Sequence, residues 1–291
     1  SCGLQTGMGD PAIGGDPYLM TLAAIDECVR NLVCVGADPT RIAILDNFCW
    51  PSCRKPENLG TLVRAAEGCY DGAIAYRTPF VSGKDSLNNQ FTTQDGRTIE
   101  IPPTLLITGM GIVEDVSRCV TMDAKRPGGV LLLVGPQDGA TVSAMGGSHY
   151  QRLWGVPADH AGVPRTDLAI GPRTATAIAK LIQSRQVLSA HDVSDGGLLS
   201  CIAEMLIAGS TPERPIGAEV SVSGIAGLFG ESPSRYVLEV ATSSLEAVKK
   251  SLGDVPHAIV GSLNDTGMLR AASEQASVED LARAWLGTLD W

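Results

Sequence analysis

Three features are missing from this sequence, and each absence argues against a class of protein. No apolar run reaches the ~20 residues of a membrane-spanning helix, and the first residues lack the basic and apolar regions of a signal peptide. Lys and Arg form no cluster and the formal net charge is −10, whereas a nucleic-acid backbone is bound by clustered cations. We therefore expect a cytoplasmic protein that binds neither membranes nor nucleic acids.

The sequence also lacks the usual cysteine and nucleophile motifs. Its eight cysteines include no CxxC pair and lie mostly within apolar helix or strand patterns, which predicts reduced thiols. Cys49 and Cys53 form a lone C-x3-C pair, and without a second pair we expect no zinc there. No Ser-His-Asp or Cys-His arrangement indicates a covalent catalyst.

The composition is that of a folded protein with two domains. The chain has 291 residues, of which 44% are hydrophobic and 19% are charged. Residues 124–129 combine charge, proline and paired glycine ahead of a very apolar strand, so we place the boundary between domains 1–123 and 124–291. Strands and helices alternate in both parts, which predicts the α/β (α+β) fold class.

Hydrophobic periodicity predicts the main elements. Asp16 as N-cap and Pro17 at the first helical position begin a helix that Gly36 ends. Further helices are expected from residue 56 toward 78 and at 174–184, 198–208 and 244–252, with strands at 41–46, 80–82, 104–113, 130–134, 187–190, 236–241 and 257–262. Residues 83–86 are predicted to be a loop, and residues 135–167 a long loop with one short helix.

Two polar stretches of the first domain follow strands. Asp46 ends a buried strand, where a carboxylate can bind Mg²⁺, a ribose hydroxyl or an adenine amine, or can cap the next loop. Gly83, Lys84 and Ser86 lie in one short stretch, where glycine permits close approach and lysine supplies a charge for phosphate. The stretch is not a Walker A loop, because the upstream glycine is missing, and a tight turn with a solvated lysine is the alternative.

The second domain has two comparable stretches. Residues 191–197 (HDVSDGG) follow a strand and open a helix, which can present backbone N–H groups to an anion, although Ser194 or Asp195 could equally cap the helix. Residues 229–235 (FGESPSR) suit either a phosphorylated ligand or a surface salt bridge. His191 has no nearby nucleophile or second histidine, so we expect a structural role for it.

Taken together, these stretches resemble a known family. Their order and spacing resemble those of the second half of the synthetase subunit of formylglycinamidine ribonucleotide synthase. The segments that carry this resemblance are 25–31 (IDECVRN) with 36–39 (GADP), 44–50 (ILDNFCW), 82–88 (SGKDSLN) and 191–198, and 229–235 fits too. The resemblance implies the fold of aminoimidazole ribonucleotide synthetase, in which an N-terminal sheet domain forms a barrel on pairing and a C-terminal α/β domain packs outside. The chain would begin within the N-terminal domain, after its opening strands.

The resemblance also implies roles for individual residues. Asp46 and Gly83 match ATP-contacting residues, and Ser86 matches a substrate-contacting serine. Lys84 stands where many relatives have a magnesium-binding asparagine, so its ammonium is expected to contact phosphate. The catalytic histidine belongs to the first half, so no catalytic residue is expected here. By internal repeat, a possible auxiliary nucleotide or phosphate loop would contain Asp192, Asp195, Gly196, Gly197, Glu231, Ser232 and Arg235, with Asp192 as a metal ligand.

The implied activity is an ATP-dependent C–N ligation in purine biosynthesis. Formylglycinamide ribonucleotide, ATP and glutamine-derived ammonia would give formylglycinamidine ribonucleotide, ADP and phosphate, with ATP and Mg²⁺ as cofactors. Expected partners are the first half of the subunit or a second copy of this chain, and a glutaminase subunit or domain; the chain alone is expected to be inactive. The alternatives are a non-catalytic nucleotide-binding scaffold, or another enzyme of the superfamily such as aminoimidazole ribonucleotide synthetase, thiamine-phosphate kinase or selenophosphate synthetase.

Overall fold

A four-stranded sheet dominates the first part of the chain in the computed structural model, which describes residues 2–5, 9, 15–137, 144–155 and 162–288. Its strands, in spatial order, are β1 (Cys2–Gln5), β6 (Thr104–Gly111), β2 (Ile42–Cys49) and β3 (Phe80–Ser86). β2 pairs antiparallel with β6 and parallel with β3, so β3 is an edge strand. A separate hairpin consists of β4 (Gln90–Thr92) and β5 (Thr98–Glu100).

Helix α1 (Pro17–Cys34) and helix α2 (Pro56–Tyr76) pack together beside this sheet. The predicted start of α1 is confirmed, because the Asp16 carboxylate accepts a 2.8 Å hydrogen bond from the Tyr18 N–H and Pro17 occupies the first turn. The alternation of β2 and β6 buries one row of side chains, including Ile44 and Ile107, in the core that α1 shares.

The opposite surface of the four-stranded sheet is the more exposed one. Leu45 and Asn47 of β2 lie beside Thr108 and Leu106 of β6, and all four side chains are only partly buried. Met110, on the same surface, is 74% exposed. We call this surface the open face. Among the described residues the four strands form an open sheet rather than a closed barrel.

The second part of the chain contains a seven-stranded sheet with the order β13-β12-β9-β11-β7-β10-β8. Its strands are β7 (Gly129–Val134), β8 (Ser189–Asp192), β9 (Gly217–Val220), β10 (Tyr236–Ala241), β11 (His257–Asn264), β12 (Met268–Ala271) and β13 (Glu274–Ser277). Its helices are α3 (His149–Trp154), α4 (Ile170–Gln183), α5 (Gly197–Gly209), α6 (Ile225–Phe229), α7 (Leu245–Leu252) and α8 (Val278–Gly287).

This larger sheet separates two hydrophobic cores. Leu132 and Val134 of β7 belong to the core that also contains residues of α1 and α4, whereas Leu131 and Leu133 belong to a second core with residues of α5. Both faces of β7 are therefore buried, which explains why its sequence is continuously apolar. Because α1 contributes to the first core, that core contains residues from both sides of the predicted domain boundary between residues 123 and 124. The position of the boundary stays a prediction.

The mixed α/β fold class is confirmed, and most predicted elements occur near their expected positions. One prediction was wrong: residues 83–86 continue β3 instead of forming a loop, because residues 46–49 of β2 pair with them. The strand expected at 187–190 is β8, two residues later. The short helix expected within residues 135–167 is α3, although residues 138–143 and 156–161 of that range lie outside the described residues. Strands β1, β4, β5, β9, β12 and β13 were not predicted.

Two further expectations from the sequence concern the cysteine thiols and membrane-spanning helices. Seven cysteines of the described chain, all except Cys2, are free thiols. No helix among the described residues combines the length and apolar character that crossing a membrane requires.

Candidate functional site

The four residues predicted to contact ATP and substrate lie on two paired strands. Asp46 of β2 is the register partner of Gly83 of β3, and Ser86 pairs with Cys49. The parallel pairing thus brings Asp46, Gly83, Lys84 and Ser86 together, and we call them the strand site. Since successive side chains of a strand point to opposite faces, these residues divide between the two faces of the sheet.

Asp46 and Gly83 lie on the helix side of the sheet. A Cβ atom on Gly83 would stand 2.5 Å from the Asp46 Oδ1, so a larger residue here would displace the Asp46 carboxylate from its present position. Burial raises the pKa of Asp46, and the neighbouring Asp85 carboxylate raises it further. Burial, with the Asp46 charge nearby, also raises the pKa of Cys69 in α2 to about 12, so this thiol stays protonated at neutral pH.

Lys84 and Ser86 lie on the open face. The Lys84 ammonium donates a hydrogen bond to the Ser86 hydroxyl, and both residues belong to the edge strand. Lys84 also pairs in register with Asn47, so an ammonium, a hydroxyl and a carboxamide are neighbours on one surface. This surface can bind an anion such as phosphate, whereas Asp46 lies on the other side of the sheet.

The two polar stretches of the second part meet at an open cleft of about 580 Å³. Asp192, Ser194, Asp195 and Gly196 line it from the segment between β8 and α5. An aromatic wall is formed by Tyr150 with Trp154 and Phe229, at ring-centroid distances of 5.1 and 5.3 Å. We call this space the loop cleft. None of the strand-site residues lines it, so the structure forms two separate clusters from the predicted set.

A carboxylate already occupies the helix start at which the sequence predicted an anion. Glu231 Oε1 accepts 2.8 Å hydrogen bonds from the backbone N–H groups of Gly196, the N-cap residue of α5, and of His149. Burial raises the pKa of Glu231, while these two N–H groups oppose that rise. A Cβ atom on Gly197 would lie 2.6 Å from the Phe229 carbonyl carbon, so glycine permits the two loops to approach.

Two residues of the predicted loop lie beneath the surface. Arg235 is 1% exposed, and its guanidinium donates hydrogen bonds to the carbonyl oxygens of Gly230 and Ser232 in its own loop. Burial, together with repulsion by Arg30, lowers the pKa of Arg235 to about 10. Ser232 is equally buried. In this structure, therefore, Arg235 supports the loop and does not line the cleft.

Asp192 takes part in a buried ionic network that joins the two parts of the chain. Arg30 of α1 donates to the Asp192 Oδ2 at 3.0 Å and to the Asp26 Oδ2 at 2.6 Å. Asp26 also accepts hydrogen bonds from the backbone N–H of Ser234, its hydroxyl and the Tyr76 hydroxyl. A metal ion at Asp192 would have to compete with the Arg30 cation, so the site does not fit a metal ligand well; that role stays a prediction.

His191 makes two contacts with carboxylates. Its Nε2 lies 2.7 Å from the Glu204 Oε2 of α5, and its Nδ1 lies 3.2 Å from the Asp192 Oδ1. Burial alone would lower the pKa of His191, but these two carboxylates raise it to about 9. His191 is therefore a cation at neutral pH, and it connects β8 to Glu204 of α5. The structural role expected from the sequence stays a prediction.

The sequence did not identify several residues of the loop cleft. Glu27 and Asn31 line it from α1, and their spacing of four residues on a largely apolar helix was the available signal. His149, Tyr150 and Trp154 come from the segment that could not be assigned from the sequence, and no motif pointed to them.

With this geometry established, comparison with known proteins identifies the class. The AIR synthase related protein N-terminal domain matches residues 6–113, and the AIR synthase related protein C-terminal domain matches residues 126–272. The chain belongs to this AIR synthase-related family.

Within that family, the chain is similar to phosphoribosylformylglycinamidine synthase subunit PurL. It is 32% identical to PurL of Deinococcus radiodurans over 279 residues, which cover 93% of this chain and 37% of that protein. It is 36% identical to PurL of Rhodopseudomonas palustris over 241 residues, 81% of this chain and 31% of that protein. The resemblance predicted from the motifs is confirmed, and the chain spans about a third of the length of these relatives.

Solved structures show the same fold. Thermotoga maritima PurL complexed with FGAR has a TM-score of 0.72 at 18% identity, and the match covers 97% of this chain and 45% of that chain. Hydrogenase maturation protein HypE in complex with ATP has a TM-score of 0.63 at 16% identity, covering 96% of this chain and 84% of that chain. At these identities the likeness concerns the fold alone.

Proposed function

We propose that the chain is the second half of a PurL-type synthetase, acting in purine biosynthesis on formylglycinamide ribonucleotide. The observation that carries this proposal is the open face of the four-stranded sheet, on which Lys84 and Ser86 lie together on an edge strand. The similarity to PurL over most of the chain supports it, as does the FGAR complex of the structurally similar T. maritima protein.

In the proposed reaction, this chain binds and orients the phosphates of ATP. The formyl amide oxygen of the substrate attacks the γ-phosphate and displaces ADP, and loss of the amide proton gives an iminophosphate. Ammonia then adds to the former amide carbon and displaces phosphate to give the amidine. Lys84 supplies a positive charge for the phosphate oxygens, and the Ser86 hydroxyl contacts the substrate. Asp46, on the other side of the sheet, accepts a hydrogen bond from the Lys84 backbone on the paired strand. Its predicted ATP contact would need the nucleotide to reach around the edge strand.

Mg²⁺ is the ion expected to accompany ATP, and when bound it neutralises phosphate charge. The predicted residues of this chain do not fit it well. The Asp192 carboxylate faces the Arg30 guanidinium, and the Lys84 ammonium would repel a cation. No step is therefore assigned to the ion in this half.

The open face suggests which partner completes the enzyme. A sheet with one buried and one exposed surface can be covered by a second sheet, and the expected barrel would form in that way. The partner would be the first half of the synthetase or a second copy of this chain, while a glutaminase subunit or domain would supply ammonia from glutamine. This arrangement would make the isolated chain inactive, and it would act in the cytoplasm.

The loop cleft supports a second role, an auxiliary nucleotide site in the same half. Its wall of Tyr150, Trp154 and Phe229 can stack on a base, and the segment with Asp195 and Gly196 borders the same space. Binding there without turnover would make the chain a nucleotide-binding scaffold for its partner half. Another ATP-dependent enzyme of the superfamily is the remaining alternative.

Reconstitution tests the proposal directly. The chain is mixed with the N-terminal half of a PurL protein, and ADP release is measured with formylglycinamide ribonucleotide and ammonium chloride as substrates. We expect turnover only when both halves are present. Lys84→Ala should raise the KM for ATP about tenfold or more, because a charge-assisted contact contributes ~1.5–3 kcal/mol.

Lys250→Ala is the matched control, since Lys250 is an exposed lysine of α7 remote from the strand site in sequence and fold. An unchanged KM in the Lys84 variant would refute the phosphate contact. ADP release by this chain alone would instead favour a complete enzyme of the superfamily, and nucleotide binding without any turnover would favour the scaffold.

A further inference from the structure

A cluster of three possible metal ligands lies at the rim of the loop cleft. His149 is the first residue of α3, Asp195 lies between β8 and α5, and Glu231 lies between α6 and β10. One ligand atom from each residue lies within 4.8 Å of the other two. The three residues come from distant parts of the sequence, so the fold and not a local motif brings them together.

The distances suit a single ion. His149 Nδ1 lies 3.2 Å from the Glu231 Oε1 and 3.7 Å from the Asp195 Oδ1. Ligands at ~2.0–2.2 Å from a tetrahedral ion are themselves separated by roughly 3.3–3.6 Å. The two distances from the imidazole are therefore within a few tenths of an ångström of this separation, and the exposed Asp195 side chain can adjust its distance from Glu231.

The surroundings hold one ligand in place and leave the others accessible. Two backbone N–H groups, those of Gly196 and His149, fix the Glu231 carboxylate at 2.8 Å each. Hydrogen bonds of this kind orient the carboxylates that bind metals. The side chains of His149 and Asp195 are 50% and 72% exposed, so an ion can enter from solvent and keep water in its remaining positions.

The local charge also favours a cation. Within the described ranges, His149 is the one basic side chain that forms an ion pair with Asp195 or Glu231. Two other carboxylates of the cleft are already paired with cations, Asp192 with Arg30 and Glu204 with His191. A divalent ion at the rim would reduce the repulsion between the Asp195 and Glu231 carboxylates, and it would allow an anionic group to approach the cleft.

We infer that His149, Asp195 and Glu231 bind a divalent first-row transition-metal ion, such as Zn²⁺, Co²⁺ or Mn²⁺. An imidazole nitrogen with two carboxylates suits these ions, whereas Mg²⁺ prefers oxygen ligands in octahedral geometry. This site is separate from the strand site and from Asp192, and it does not depend on the proposed ligase reaction. An ion there would leave a coordination position directed toward solvent at the mouth of the cleft.

Cobalt titration tests the inference on the 291-residue chain without an affinity tag. Co²⁺ binding is followed by its visible absorption, and Zn²⁺, Mn²⁺ and Mg²⁺ binding by calorimetry. We expect one Co²⁺ per chain, with Mg²⁺ binding at least tenfold more weakly. His149→Ala and Asp195→Asn should each weaken Co²⁺ binding at least about tenfold, because each removes one ligand.

His257→Ala is the matched control, since the His257 Nδ1 contacts the Val255 carbonyl oxygen away from the cluster, and this variant should bind Co²⁺ like the wild type. Asp195 is exposed, so its variant tests the ligand role without disturbing the fold, which a thermal unfolding curve verifies. Equal Co²⁺ affinity in wild type, His149→Ala and Asp195→Asn would overturn the inference. Loss of Co²⁺ binding with intact turnover in the reconstituted enzyme would support it independently of the ligase proposal.

Discussion

The two main sheets of this protein differ in how many of their faces are buried. Alternate residues of β7 in the seven-stranded sheet enter different cores, as Leu132 and Leu131 do. In the four-stranded sheet, Ile44 and Ile107 are buried while Leu106 and Met110 on the open face retain exposure. The larger sheet is therefore stabilised within the chain, whereas the smaller one has a surface available for a partner.

This difference explains where the two candidate sites lie. The loop cleft forms where α1 and the segments after β8 and α6 meet, and all of its residues come from this chain. The strand site lies on the edge and open face of the smaller sheet, where Lys84 and Ser86 are accessible. The loop cleft is therefore formed within this chain, whereas the strand site, under the proposed function, would be one wall of a site that a partner completes.

The largest expected effect comes from the junction between the two regions. Asp26 is 1% exposed and accepts hydrogen bonds from Arg30, Tyr76 and Ser234. Asp26→Ala should lower the free energy of unfolding by about 3–5 kcal/mol, because it leaves a buried guanidinium without one of its partners. Urea denaturation measures the change, and the transition should become less cooperative if the two regions separate.

The control for this variant is an ion pair on the surface. Glu114 lies 3.1 Å from Arg41 and both side chains are about half exposed or more, so Glu114→Ala should cost at most about 1 kcal/mol. A loss of similar size in both variants would show that the buried network contributes no more than a surface pair, and that apolar packing alone joins the two regions.

A pair of leucine variants tests the difference between the sheets. Leu132→Ala should lower the free energy of unfolding by about 2–5 kcal/mol, since Leu132 is fully buried and a cavity would remain. Leu106→Ala on the open face should cost less than about 1 kcal/mol in the isolated chain. Equal losses in the isolated chain would contradict the description of an open face, and analytical ultracentrifugation would show whether self-association already covers it.

The sequence predicted the elements and the family well, because apolar periodicity and helix caps are local signals. Asp16 and Pro17 marked the start of α1, and the apolar run at 130–134 marked β7. The register of β3 was not predictable in the same way. Residues 83–86 are polar and read as a loop, yet they form a strand because β2 supplies the hydrogen-bonding partners from a distant part of the chain.

The candidate sites were predicted only in part, for a related reason. Asp192, Asp195 and Gly196 were found from a motif, and the structure places them on the loop cleft. Arg235 was expected beside a phosphate, but its guanidinium is buried against its own loop, and no local pattern distinguishes these outcomes. The metal cluster joins His149 to Asp195 and Glu231 through tertiary contacts alone, so it required the structure.

The smallest expected effect concerns β8, the edge strand of the larger sheet, where charge supplements apolar packing. Contacts with Asp192 and Glu204 raise the pKa of His191 to about 9, above the ~6.5 of an unfolded chain. This raised pKa stabilises the folded protein by on the order of 3 kcal/mol below pH 6.5, and the stabilisation is lost as the pH rises through about 9. In His191→Gln this part of the pH dependence should disappear, while His257→Gln should retain it. Urea denaturation at pH 6 and pH 9.5 measures the free energy of unfolding of each protein. If this free energy changes equally between the two pH values in the wild type and in His191→Gln, β8 is held by packing alone, like the centre of its sheet.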